Sequence, residues 1–147
     1  MKRLAIALLG FCSLAYSSSL TEDAISSVVE LERQVECLAK NIYFEARGEP
    51  RKGQLAVAHV TLNRTKSDHY PNDVCSVVYQ KKQFSWTADK PKVRNWEVYA
   101  NLKQVAYSVL QGETSDPTRG ALNFHNASVN PGWKKQVRVK IGGHIFY

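Results

Sequence analysis

A run of apolar residues at helical spacing that stops at Gly48 and Pro50 constrains this chain more than anything else in it. Val35, Leu38, Ala39, Ile42 and Tyr43 recur three and four residues apart, which predicts a helix over residues 28–46 with one face in a core. Gly48 and Pro50 cannot carry that helix on. The chain must therefore turn a corner while it holds Glu45, Arg47 and Glu49. A glutamate on the last turn of a packed helix is held rigidly and can still face a cleft, the setting a general acid requires. Phe44 and Ile42 flank Glu45, and apolar neighbours desolvate a carboxyl group, raise its pKa and keep it protonated near neutrality. Glu49 is read differently. A continuing helix would put it on the same face as Glu45, but Gly48 separates the two. Glu49 is expected to pair with Arg47 or Arg51, or to cap the next helix.

That next helix is expected over residues 54–64, where Leu55, Val57, Ala58, Val60 and Leu62 form a broad apolar face. Residues 67–73 have loop chemistry, and Asn72 or Asp73 can cap a short helix through Tyr79. Residues 80–95 are polar, with Gln83, Phe84, Ser85 and Trp86 set between lysines, and read as a loop that carries function or wraps the core. Val98, Leu102, Val105, Ala106 and Val109 predict a further helix over residues 96–110, stopped by Gly112, with Trp96 packed in the core. The period then changes. Residues 121–125 read as a strand, Val137, Val139 and Ile141 alternate with charged residues, and residues 144–147 return after Gly142 and Gly143. Helices first and a small antiparallel sheet last make an α+β domain. With 147 residues, 44% of them hydrophobic, the chain has room for one such domain with its own core.

Lys2 and Arg3, followed by the short apolar run of residues 4–15, read as a signal peptide over residues 1–17, with Ala15 and Ser17 as the small residues of a cleavage site. The run is shorter than the ~20 residues a spanning helix needs. An uncleaved anchor is the alternative, and acylation of Cys12 is disfavoured by Phe11 before it. Residues 18–30 follow as a small, polar linker, and the domain proper is placed at residues 31–147. Export would remove Cys12 and leave Cys37 and Cys75, which favours a single disulfide in an oxidising compartment. No CxxC or HExxH spacing supports zinc in its place. The formal net charge of +7 favours a polyanionic partner: wall polymer, a membrane surface or nucleic acid. The basic residues are scattered and no nucleic-acid motif accompanies them, so nucleic acid is set aside.

His59, His69, His125 and His144 sit in separate segments. A zinc amidase or peptidase would have to draw on His125, His144 and a glutamate. A Gly-x-Ser-x-Gly nucleophile is absent. Phe84, Trp86 and Trp133 lie in polar surroundings and are expected to be exposed. Beside Gln83 and Asn126 they offer the flat apolar faces and directional hydrogen bonds of a sugar-binding groove.

Several ordered blocks go further: Tyr43-Phe44-Glu45-Ala46-Arg47-Gly48-Glu49-Pro50, Gly53-Gln54-Leu55-Ala56-Val57-Ala58, Leu62-Asn63-Arg64, Cys75-Ser76-Val77-Val78-Tyr79, Gln83-Phe84-Ser85-Trp86, Phe124-His125-Asn126 and Ile141-Gly142-Gly143-His144-Ile145-Phe146-Tyr147. Through them the chain, from about Glu36 onward, resembles the cell-wall hydrolases related to the spore-cortex-lytic enzymes of the SleB and CwlJ type. The resemblance implies a mainly helical, lysozyme-like domain with a small antiparallel sheet toward the C-terminus. It implies a lytic transglycosylase that cleaves the β-1,4 bond between N-acetylmuramic acid and N-acetylglucosamine in peptidoglycan glycan strands, with Glu45 as the catalytic acid and base. Tyr43, Gln83, Phe84, Ser85, Trp86, Phe124 and Asn126 are then the candidate substrate-binding residues. No cofactor or metal is expected, and the protein is read as a monomer exported to the periplasm or cell envelope. A hydrolytic muramidase would need a second carboxylate, for which Glu49, Asp89 and Asp116 are the candidates. A wall amidase or peptidase and a non-catalytic wall-binding module are the rival classes.

Overall fold

The computed structural model describes residues 13–147, with side chains from residue 21 onward. The signal-peptide reading and the fate of Cys12 rest on residues and side chains that lie outside that part. In chain order the described elements are α1 (Ser13–Ala46), α2 (Arg51–Thr65), α3 (Val74–Val78), α4 (Trp86–Asp89), α5 (Trp96–Leu110), β1 (Phe124–Asn126), β2 (Val139–Ile141) and β3 (His144–Phe146). The chain divides into two compact units, one ending at Glu32 and one spanning Arg33–Tyr147.

Residues 18–30, expected as a linker, are helical and belong to α1. Serines are compatible with that, since a hydroxyl can bond the carbonyl one turn back without breaking a helix. Ser27 does so, its Oγ donating to the Asp23 carbonyl at 2.9 Å. Ile25, Val28 and Val29 are exposed in this first unit. Among the described residues no helix is long and apolar enough to cross a membrane.

The second unit holds the core. Val35, Leu38, Ala39 and Ile42 of α1 are buried, as are Val57 and Val60 of α2 and Leu102, Val105, Ala106 and Val109 of α5. These are the faces that helical periodicity marks out. Helix α2 starts at Arg51 rather than residue 54, because the Pro50 carbonyl already accepts the Gly53 amide at 2.7 Å and the Gln54 amide at 3.1 Å. Asp73 caps α3 by accepting the Ser76 N–H at 2.8 Å. Fully buried Asn41 ties three elements: its amide donates to Thr61 Oγ1 at 3.1 Å and its oxygen accepts Trp86 Nε1–H at 3.1 Å. The Cys37–Cys75 disulfide joins α1 to α3 with the Cα atoms 5.2 Å apart.

The sheet has the order β1-β3-β2 with both pairings antiparallel, and Phe146 lies opposite Phe124 on one side and Val139 on the other. It packs on α2 through a cluster of Ala56, Val60, Ala121, Ile141 and Phe146. The α+β order is therefore as the sequence implies, with strands shorter than expected. Trp96 departs from expectation: it is 68% exposed, on the first turn of α5, where its ring meets the edge of Tyr99 at 5.9 Å.

Candidate active site

Glu45, on the last turn of α1, opens onto a cleft of ≈ 990 Å³ that also takes in Arg64 of α2, residues of the 79–88 segment, β1, and His144 of β3. The corner at Gly48 makes this access, since the helix ends one residue after Glu45 and the chain turns away. The carboxyl group is largely withdrawn from water. Burial pushes its pKa above the ordinary 4.5, and the charge of Arg64 opposes that shift without reversing it. A carboxyl group whose pKa is raised in a cleft holds its proton to higher pH, as a proton donor must.

Arg64, which is not among the expected site residues, also lines the cleft. It is 5% exposed, its guanidinium lies 5.0 Å from the Tyr70 ring centroid and 5.1 Å from that of Phe84, and its Nε donates to the Leu122 carbonyl at 2.8 Å. A signal was available: Val57, Val60, Thr61 and Arg64 share one helical face, so an arginine falls where the pattern demands a buried residue.

Of the expected site residues, the cleft gathers Glu45, Gln83, Phe84, Ser85, Phe124 and Asn126. Phe84 is no open platform, however. It is 4% exposed, because Arg64 covers one part of it and the Phe124 ring stands 6.4 Å away. Tyr43 and Trp86 are not among the residues lining this cleft. The Tyr43 ring is buried and its hydroxyl accepts the Arg94 and Asn95 N–H groups at 3.2 and 3.1 Å, which pins the segment before α5. Trp86 spends its Nε1–H on Asn41 and packs its ring on Phe44 at 4.8 Å. Trp133 is exposed as expected, meeting the rings of His125 and Tyr147 at 5.6 Å each.

Glu49 takes a partner other than the expected arginines. Its Oε2 accepts the Gly143 N–H at 2.9 Å in the β2–β3 turn, while its own carbonyl accepts Gln54 Nε2–H at 3.0 Å. It does share a smaller hollow of ≈ 320 Å³ with Glu45, Asn126 and His144. His144 Nδ1 stands 3.7 Å from Glu49 Oε1, too far for a hydrogen bond, and has no other partner. Burial lowers the His144 pKa against the pull of Glu49, so the imidazole is neutral and the contact is not a true ion pair. Asp116 lies elsewhere, accepting from Thr118 N at 2.7 Å, Gly120 N at 2.8 Å and Asn63 Nδ2 at 2.9 Å. Neither Asp116 nor Asp89 lines the cleft, whose lining contains one carboxyl group, Glu45.

His125 and His144 do meet in the cleft beside Glu45. His125 is already engaged: Nδ1 lies 2.8 Å from the Asn126 carbonyl and Nε2 2.9 Å from the Tyr147 hydroxyl. A carbonyl only accepts, so Nδ1 carries a proton towards Asn126, and in the neutral ring Nε2 accepts from the tyrosine. Among the described residues no group of three His, Cys, Asp or Glu side chains is placed to hold a metal.

A family model described as Cell Wall Hydrolase matches residues 48–147, beginning three residues after Glu45. The spore cortex-lytic enzyme of Bacillus cereus is 32% identical over 120 residues, covering 78% of this chain and 44% of that protein. That of Bacillus subtilis is 33% identical over 117 residues, covering 76% and 36%. The chain thus spans less than half the length of these curated relatives. Among solved structures, the catalytic domain of the Bacillus cereus SleB protein is similar at TM-score 0.67 and 34% identity, covering 78% of this chain and 89% of that one. The catalytic domain of the germination-specific lytic transglycosylase SleB from Bacillus anthracis gives TM-score 0.66 and 35% identity, covering 77% and 92%.

Proposed function

The chain belongs to the cell wall hydrolase family, and we propose that it cleaves the β-1,4 bond between N-acetylmuramic acid and N-acetylglucosamine in peptidoglycan, as a lytic transglycosylase. The observation that carries this reading is the half-buried carboxyl group of Glu45, the one acid in the lining of a large cleft, with its pKa raised by desolvation. Protonated Glu45 donates to the glycosidic oxygen as the C1–O bond breaks. The resulting carboxylate then takes the proton of the muramoyl C6 hydroxyl, whose oxygen bonds to C1 and closes a 1,6-anhydro ring. Glu45 ends protonated, ready for the next bond. The substrate supplies the nucleophile, so one carboxyl group serves both steps.

Gln83, Ser85 and Asn126 offer amide and hydroxyl groups for sugar acetamido and hydroxyl groups, and Phe124 offers an apolar face. Lys81 and Lys82 at the same cleft suit a polymer that carries carboxylates. Such a substrate lies outside the cytoplasmic membrane, which accords with export to the cell envelope and with the oxidised Cys37–Cys75 pair.

A hydrolytic route would place a second carboxylate ~5–5.5 Å from the first if retaining and ~6.5–9.5 Å if inverting. Glu49 shares a smaller hollow with Glu45, but its Oε2 is committed to Gly143. Digestion of purified sacculi followed by mass spectrometry tests the proposal. Anhydro-muramic ends are expected. Reducing muramic ends in their place would make the protein a muramidase, and newly freed amino groups without glycan scission would make it an amidase or peptidase.

A further inference from the structure

A second hollow, of ≈ 500 Å³, lies among α1, α5 and the segment after α4, and the catalytic reading does not use it. Its walls are the rings of Phe44, Tyr79, Trp86, Trp96 and Tyr99. Trp96 is 68% exposed and Tyr79 49%, a large apolar surface to leave in water. Tyr79 and Thr87 line this hollow and the catalytic cleft alike, so the two are neighbours across one wall.

The rim is cationic. The one acid in the lining, Glu36, is already answered by Lys40 at 3.4 Å and Lys103 at 3.5 Å. Lys90 and Lys92 also line the hollow and have no ion-pair partner among the described residues. The segment that carries them is shaped rather than slack: Lys90 takes a left-handed φ of 47°, and Tyr43 holds the amides of Arg94 and Asn95 just beyond. Aromatic faces with unpaired lysines at the edge suit a short peptide bearing small aliphatic side chains and carboxylates. A neutral stretch of sugar would leave both ammonium groups unanswered.

We infer that this hollow holds the carboxylate-bearing stem peptide of the wall strand whose glycan lies in the catalytic cleft. The inference rests on peptidoglycan being the substrate. It makes the enzyme a reader of substituted glycan, with Lys90 and Lys92 binding the carboxylates and Trp96 packing on the peptide.

Binding is tested in a Glu45→Gln background, so that nothing is cleaved, on sacculi with stems intact and on the same strands stripped of stems by an amidase. Trp96→Ala, and Lys90→Glu with Lys92→Glu, are each expected to weaken binding to stem-bearing sacculi about tenfold and to leave binding to stripped strands unchanged. Circular dichroism checks that each variant is folded. Equal loss on both substrates would mean that the hollow reads sugar, and loss on neither would mean that it reads nothing; either result overturns the inference. Because binding is scored without turnover, a failure of Glu45 as the acid leaves the result legible. Parent protein that binds neither preparation would overturn the wall reading itself, and this inference with it.

Discussion

The carboxylate of Glu49 accepts the backbone N–H of Gly143 at 2.9 Å, between residues 94 apart in sequence, and so ties the corner after α1 to the β2–β3 turn. The corner delivers Glu45 and the turn delivers His144, so one bond sets two sides of the cleft. Gly142 is what lets Glu49 in. Its φ is +55°, and a Cβ there would collide with Glu49 Oε2.

Glu49→Ala should therefore act through structure. Leaving the Gly143 N–H without its charged acceptor costs about 1–3 kcal/mol, to be read from denaturant unfolding. Glu49→Gln keeps an acceptor at the same reach and should retain most glycan cleavage. Were Glu49 instead a second catalytic carboxylate, the glutamine variant would be as inactive as the alanine one.

Glu45→Gln removes the proposed proton donor without changing size. Cleavage of sacculi should fall by about 10²–10⁴-fold, the usual contribution of general acid–base catalysis. Stability should move the other way. Burial raises the Glu45 pKa in the folded protein, so the folded state binds more protons than the unfolded one between the ordinary 4.5 and the raised value. The parent thus loses stability as pH rises through that window, and glutamine does not. Melting curves against pH should show the variant more stable at neutral pH, with the two converging toward acid. A variant less stable than the parent at pH 7 would contradict a Glu45 pKa raised by folding.

Helix faces were legible in the sequence because burial repeats with the helix, and the corner at Gly48 was legible because two residue types there cannot extend one. Residue roles that depend on contacts distant in sequence were not. Tyr43 sits in the same motif as Glu45, yet its hydroxyl is spent on amides at residues 94 and 95. Trp86 lies in a polar segment that suggested exposure, but buried Asn41 captures its indole N–H. Glu49 was expected to pair with a near arginine, and only the return of β3 brings Gly143 within its reach. Local pattern carries no information on these pairings.

Arg64 opposes the burial shift of Glu45, so removing its charge should raise the Glu45 pKa further. In the proposed mechanism the acid form acts at the first step, so activity should decline as pH rises through that pKa. In Arg64→Gln the alkaline limb of kcat against pH should accordingly move to higher pH, while Arg64→Lys, which keeps a cation, should stay near the parent. A general loss of rate with an unmoved limb in both variants would reduce Arg64 to a packing role.

The Cys37–Cys75 bridge closes a loop, 38 residues in separation, that contains Glu45, Asn41 and all of α2. In the chain-entropy account, opening such a loop in the unfolded state lowers stability by ~3–4 kcal/mol. Cys37→Ala with Cys75→Ala, or the parent in reductant, should melt lower by on the order of 10 °C. Catalysis below that melting point should persist, because the cleft wall is also held by Asn41 bonding to Thr61 and by the packed faces of α1 and α2. A variant that keeps its melting temperature but loses cleavage would show instead that the bridge positions Glu45 directly, through the last turns of α1.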